Sequence, residues 1–268
     1  MGATLRGLRV KAPGGRSMSG FGGGVLRLVG SILLVAGVVS GCGRPGDDYS
    51  ARMRASAPVV APSPDVVVAP VKASISKAGL AYFLEVAFGA DLGDNDQVIT
   101  MWDKPVVTVR VRGASAKSRS CLNQVIADFN GLTARTDLKV VSGAPDIELF
   151  FGSGSKFRVL EPHYEPGNDG FYYLYWSGKH EITSANVFVR SSGISERDRC
   201  HLIRMGLTGA MGLSNQSAKY PDSVFYQDYG TTPTRYSALD KELVALMYGG
   251  VVRPGDGKDV IKQTVTVK

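Results

Sequence analysis

The sequence has few of the residues that carry thiol, imidazole or metal chemistry, because its 268 residues include only three cysteines and three histidines. Neither HExxH nor GxSxG occurs in it, so the signatures of the zinc proteases and of many serine hydrolases are both missing. It also lacks an uninterrupted apolar segment of about 20 residues, the length that a transmembrane helix requires. These absences disfavour two common classes of hydrolase and a permanent membrane span.

The N-terminal region, in contrast, has the features of an export signal. Residues 1–41 contain five basic residues and no acidic one, and they end in the apolar run "LVGSILLVAGVVSG" before Cys42. Val39, Ser40 and Gly41 resemble the lipobox of bacterial lipoproteins, in which the following cysteine is acylated and becomes the new N-terminus. We therefore expect an exported protein anchored through acylated Cys42 to the cell membrane or the outer membrane. The alternative is an ordinary secretory signal with an incidental cysteine.

The excess of positive charge belongs mostly to this signal. The whole chain has 31 Lys and Arg residues, 24 Asp and Glu residues and a formal net charge of +7. Without the five basic residues of the signal, 26 basic residues face 24 acidic ones, which leaves a net charge of +2. A nucleic-acid partner is therefore not expected, and an envelope protein or peptide is the expected one besides membrane lipid.

The rest of the chain divides into a tether and one domain. Residues 42–74 are rich in Pro, Ala and Ser and show no helical period, which is typical of an extended linker. Residues 75–268 are long enough for a single domain with a sizeable core. Their apolar periodicity predicts helices near residues 78–89, 117–131, 196–211 and 237–248, and strands within 105–113, 137–141, 146–152, 171–176 and 182–190, with residues 153–170 as a long loop.

Two cysteines remain besides Cys42. Cys121 and Cys200 have no CxxC partner, and an isolated pair in an oxidising compartment favours a disulfide over a metal site. The alternative is two separate buried thiols.

Several segments together resemble one known family. The stretch "RDRCHLIRMGLTGAMGLSNQSAKYPDSVFYQDYG" with "YSALDKELVALMYGGVVRPGDG" resembles the C-terminal half of the family catalogued as domain of unknown function 2927, found mostly in bacterial envelope proteins. Its N-terminal half is similar to "YFLEVAFGADLG" with "MWDKPVVTVRVRG". The resemblance covers nearly the whole domain and implies an envelope protein.

That family in turn resembles the zincin metalloproteases, which implies an α+β fold with helices packed on one face of a twisted mixed sheet. The resemblance makes "ITSANVFV" the edge strand of the cleft and places Asp240 in the final helix. At the positions of HExxHxxGxxH, however, the chain holds Met205, Gly206, Gly209, Gly212 and Asn215. These vestigial positions offer neither a good zinc ligand nor a general base, so we expect no metal or other cofactor and no catalytic residue.

Gly206, Gly209 and Gly212 also need a structural explanation, because each glycine inside a helix costs about 1 kcal/mol relative to alanine. Either a neighbouring element packs closely against them, or they leave a groove, wider and less polar than in a working enzyme, that admits a peptide.

The sequence leaves two functions open. The first is a non-catalytic binding module of the cell envelope, and the second is a divergent, peptidase-like hydrolase with rearranged residues in the same cleft. The loop residue His163 offers a further candidate, a cation site with its acidic neighbours, although a solvated loop is the simpler interpretation. Candidates for the hydrolase are His180, Glu181, His201, Asp222 and Asp240.

Overall fold

A computed structural model describes residues 73–88, 97–162, 164, 166–227 and 232–268 in full, and the backbone alone of 5–9 and 92–93. Cys42, His163 and nearly all of the proposed signal and tether lie outside the described residues. Among the residues described, no helix combines the length and the hydrophobicity needed to cross a bilayer.

The helices and strands alternate along the chain. The helices are α1 (Lys77–Val86), α2 (Ala116–Asn130), α3 (Gly154–Leu160), α4 (Glu196–Ala210), α5 (Ala238–Tyr248) and α6 (Lys258–Thr264). The strands are β1 (Leu5–Arg9), β2 (Ala73–Ile75), β3 (Leu92–Gly93), β4 (Val106–Arg112), β5 (Asp137–Val140), β6 (Ile147–Gly152), β7 (Gly170–Trp176), β8 (Ile182–Arg190) and β9 (Val265–Val267).

The main sheet is mixed and has the strand order β3-β1-β7-β8-β6-β4-β5. β7 is antiparallel to β8, whereas the other pairs in this sheet are parallel. β2 and β9 form a second, small parallel sheet. Ala73 and Ser74, the last two residues of the predicted tether, are part of β2.

Side chains along each strand point alternately to the two faces of the sheet, so an apolar layer forms on each face. Val107 and Val109 of β4 and Val187 of β8 point into the main core, to which α1, α2, α4 and α5 contribute their apolar faces. The opposite face of β7 and β8 carries a smaller aromatic cluster that includes Phe171 and Phe188. The predicted mixed α+β fold, with its helices on one face of the sheet, is confirmed, and the second cluster adds a partial layer on the other face.

Two predictions about local structure are wrong. The resemblance makes residues 182–189 the edge strand of the cleft, but β8 lies inside the sheet, between β7 and β6, and is hydrogen-bonded to both. Residues 153–170 were expected to form a loop, yet α3 begins this segment. α3 is short and has no side-chain N-cap, so its stability comes from the packing of Phe157. The centroid of the Phe157 ring lies 4.9 Å from that of Phe188 and 5.5 Å from that of Tyr164.

Candidate functional site

α4 holds the positions that correspond to a zinc-protease helix. Ser195 begins it as an N-cap, since its side chain accepts a hydrogen bond from the Asp198 backbone N–H. Gly212 follows its C-terminus with φ of 99°, a left-handed conformation that favours glycine. Gly212 therefore lies just beyond the helix rather than inside it.

The two central glycines of α4 pack directly beneath the sheet. A Cβ atom at Gly206 would lie 2.8 Å from Cγ1 of Val187 on β8. A Cβ atom at Gly209 would lie 2.5 Å from the ring carbon Cζ of Tyr172 on β7. Both distances are shorter than any normal carbon–carbon contact, so only glycine allows α4 to approach the strands this closely.

Of the two alternatives for these glycines, the groove is therefore absent beside Gly206 and Gly209. The ring of Tyr172 is 2 % exposed, and its hydroxyl donates a 2.6 Å hydrogen bond to the Ser214 carbonyl just beyond α4. The ring occupies the space that the missing side chain of Gly209 would otherwise leave open. Close packing, the other reading of these glycines, accounts for them.

The remaining positions of the zinc-protease pattern also have structural partners. Met205 is 3 % exposed, and its Sδ accepts a 3.6 Å hydrogen bond from Nε2 of Gln216. The Asn215 backbone N–H donates to the Val86 carbonyl at 2.9 Å, and its Nδ2 donates to the Glu85 carbonyl at 3.0 Å. Asn215 thus caps the C-terminus of α1, where helix carbonyls lack partners of their own.

The acidic and histidine candidates lie in separate environments. Asp240 is fully buried and accepts hydrogen bonds from the Ser223 hydroxyl at 2.6 Å and the Val224 backbone N–H at 3.0 Å. Burial raises the pKa of Asp240, although these hydrogen bonds act in the opposite direction. Asp222, next to Ser223 in sequence, is exposed to solvent.

His201 is also buried, and its Nδ1 lies 2.8 Å from the Pro233 carbonyl. Burial lowers its pKa, which favours the neutral ring that donates to this carbonyl. His180 lies in the turn between β7 and β8 with φ of 61°, and the neighbouring Glu181 forms a backbone bridge to Met101. No three His, Cys, Asp or Glu side chains among the described residues come together as a group able to hold a metal ion.

The predicted disulfide is confirmed. Cys121 in α2 and Cys200 in α4 are bonded, with their Cα atoms 5.8 Å apart. The bond joins two helices that pack side by side, which fixes α4 against α2.

Sequence reasoning missed the aromatic residues that hold the end of α4. Trp102 Nε1 donates to the Ala210 carbonyl at 2.9 Å, and the Tyr248 hydroxyl donates to the Met211 carbonyl at 2.6 Å. Both side chains are buried and satisfy carbonyls that the helix end leaves unpaired. The lone Trp102 before the first long strand was the available signal, since a buried tryptophan N–H requires an acceptor.

The outer edge of β7 is the second feature of interest. β1 pairs with it in parallel from Leu5 opposite Gly170 to Arg9 opposite Leu174. Among the described strands, only β1 and β8 pair with β7. The edge therefore accepts an extended segment that lies more than 160 positions away in the sequence.

The comparison with known families covers most of the domain, since residues 77–266 match the family described as "Protein of unknown function (DUF2927)". The chain belongs to the DUF2927 family. The resemblance noted in the sequence is thus confirmed.

Two solved structures of myroilysin superpose on part of this DUF2927 chain. One has 15 % identity and a TM-score of 0.39, and it covers 56 % of this chain and 83 % of the other. The second has 14 % identity and a TM-score of 0.40, and it covers 56 % and 86 % respectively. Similarity at this level says nothing about activity. A comparison with curated proteins gives no match.

Proposed function

We propose that the protein is a lipid-anchored binding module of the bacterial cell envelope, which holds an extended peptide by adding it as a strand to the edge of β7. The observation that carries this proposal is the pairing of β1 with five consecutive residues of β7. An exposed strand edge offers backbone N–H and C=O groups in a row, so it binds extended chains of varied sequence.

Export would make this edge available. β1 lies within residues 1–41, the segment that we expect to be removed when Cys42 becomes the N-terminus. Once β1 is gone, no other described strand pairs with the outer side of β7. A partner segment then satisfies the backbone groups that β1 satisfies in the precursor.

The packing of α4 supports binding without catalysis. A zinc hydrolase requires about three protein ligands and an open coordination position for water. Here Met205 and Gly209 stand at the first two ligand positions, and Tyr172 fills the space beside Gly209. Asn215, at the third, directs its amide to α1 instead.

Lipid attachment at Cys42 would hold this module close to a membrane. Roughly 30 tether residues at about 3 Å each would let it reach tens of ångströms from the surface. Such a reach suits a protein that captures a segment of another envelope protein.

The test is a binding measurement with the leader segment as the probe. The protein is expressed with its leader so that export removes residues 1–41. The processed protein is then purified in detergent and titrated with a synthetic peptide of residues 3–11, "ATLRGLRVK". We expect saturable binding at one peptide per chain, with slower hydrogen exchange of the β7 amides, because the peptide replaces β1.

Two further peptides, N-methylated at alternate positions, serve as matched controls. One lacks the N–H groups of Arg6 and Leu8, and the other lacks those of Leu5, Gly7 and Arg9. Alternate residues of a strand direct their N–H groups to opposite sides, so one of these peptides should bind β7 and the other should fail. Equal binding of both, or no binding of the parent peptide, would refute strand addition.

A further inference from the structure

A groove along α2 has features that neither the fold nor the β7 edge explains. One cavity of about 410 Å³ is lined by Lys117, Ser120, Gln124, Thr234, Arg235 and the disulfide. A second, of about 150 Å³, is lined by Asp128, Arg235, Tyr236 and Lys241, among others. Because both cavities contact Arg235 and successive turns of α2, we treat them as one surface, the α2 groove.

The rim of the α2 groove is positively charged. Lys117, Arg235 and Lys241 are exposed, and none of them forms an ion pair with a described residue. The carboxylate of the groove, Asp128, is already occupied: it accepts 2.6 Å hydrogen bonds from Nη2 of Arg204 and from Nε2 of Gln124. Three cations along one surface therefore have no ion-pair partner within the part of the chain that the structure describes.

Less polar groups also line the α2 groove, and we call them its floor. The half-buried cysteines of the Cys121–Cys200 disulfide line the first cavity, and Tyr236, 6 % exposed, lines the second. A uniform polyanion would gain binding energy only from its contacts with the charged rim. A ligand with both acidic and apolar side chains would use the rim and the floor together.

The dimensions of the groove suit a short extended peptide. Lys117 and Asp128 lie eleven positions apart on α2, a span of about 16 Å at a rise of 1.5 Å per residue. An extended chain advances about 3.3 Å per residue, so the span holds about five residues, and its side chains alternate between two sides. Apolar side chains facing the floor would place the intervening ones at the rim.

We propose that the α2 groove binds a segment of a partner protein in which acidic and apolar residues alternate. The groove shares no residue with the β7 edge, so the two surfaces are available to the same partner or to different ones.

The test uses fluorescence anisotropy with the exported protein purified in detergent and a labelled hexapeptide of alternating aspartate and leucine. We expect saturable binding that weakens as the salt concentration rises. Arg235→Glu should weaken it about tenfold or more, because Arg235 lines both cavities, and Lys241→Glu should weaken it to a smaller extent. Arg119→Glu is the matched control, since Arg119 is exposed on the same helix but lies outside the groove. This variant should bind the peptide with the affinity of the wild type.

The competitors decide which chemistry the groove recognises. Hexa-aspartate and polyphosphate of similar charge should compete at least tenfold less well than the alternating peptide, because neither fills the floor. If either competes equally, the groove is a general polyanion site and the proposal is overturned. Absence of peptide binding, or equal losses in Arg235→Glu and Arg119→Glu, would overturn it as well.

Discussion

The ring of Tyr172 lies directly over Gly209, and the two residues fix the distance between β7 and α4. We therefore expect Gly209→Ala to destabilise the fold by about 1 to 2 kcal/mol, because the ring is held by the Ser214 carbonyl and cannot retreat freely. Helix propensity alone predicts the opposite, a gain of about 1 kcal/mol for alanine. Urea denaturation measures the sign of the change.

Gly143→Ala is the control for that measurement, since a Cβ atom there would meet nothing within 4 Å. It should change the unfolding free energy by less than about 0.5 kcal/mol. A stabilising Gly209→Ala would show that the contact with Tyr172 does not constrain the helix.

The disulfide between Cys121 and Cys200 should contribute strongly to stability. The two residues lie 79 positions apart, and closing a loop of that size stabilises by up to about 4.5 kcal/mol on the chain-entropy model. We expect Cys121→Ser with Cys200→Ser to lower the denaturation midpoint by an amount that corresponds to about 2 to 4 kcal/mol. An unchanged midpoint, or two free thiols titrated in the exported wild-type protein, would contradict this expectation.

Much of the fold was accessible from the sequence because local signals agreed with tertiary packing. α4 has a serine N-cap, an apolar stripe and Gly212 after its end, and α5 has its N-cap at Ser237. α3 has one buried apolar residue, Phe157, between glycine- and proline-containing segments, so its helical signal was too weak to recognise.

The candidate site was less predictable, because contacts across long sequence separations decide it. Gly209 was compatible with either a groove or close packing until the position of Tyr172, 37 residues earlier, was known. The strand order could not be predicted for the same reason. Alternating apolar and polar residues identify β8 as a strand, but they do not specify which two strands lie beside it.

Acidification should destabilise the protein through His201. Burial lowers the pKa of His201 in the folded state below its ordinary value of 6.5, so the unfolded chain binds more protons once the pH falls below that value. Stability is therefore retained above about pH 6.5 and lost as the pH falls towards the folded-state pKa.

His201→Asn tests this, because the asparagine amide can also donate to the Pro233 carbonyl but does not titrate. Between about pH 7.5 and 5.5, the wild type should lose more unfolding free energy than the variant. The raised pKa of Asp240 acts in the opposite direction but equally in both proteins, so it cancels in the comparison. His180→Asn controls for the loss of a histidine at a position where asparagine tolerates the positive φ. Identical pH dependence in wild type and His201→Asn would contradict the assignment.

Lipid attachment at Cys42 predicts a simple change in fractionation. Cys42→Ala should move the protein from the membrane fraction to the soluble extracytoplasmic fraction, because acyl chains provide its anchor. Arg44→Ala, two positions downstream, is the control and should remain with the membrane. An unchanged membrane association of Cys42→Ala, together with an unmodified wild-type mass, would refute lipidation.

We expect α4, whose residue spacing resembles that of a zinc-protease helix, to bind no zinc, and zinc analysis of the purified protein after exhaustive dialysis tests this expectation. Met205, Gly206, Gly209 and Asn215 offer poor ligands or none, so we expect zinc far below one equivalent per chain. One equivalent of zinc that survives dialysis and is lost in His201→Ala would contradict it and would favour a divergent hydrolase.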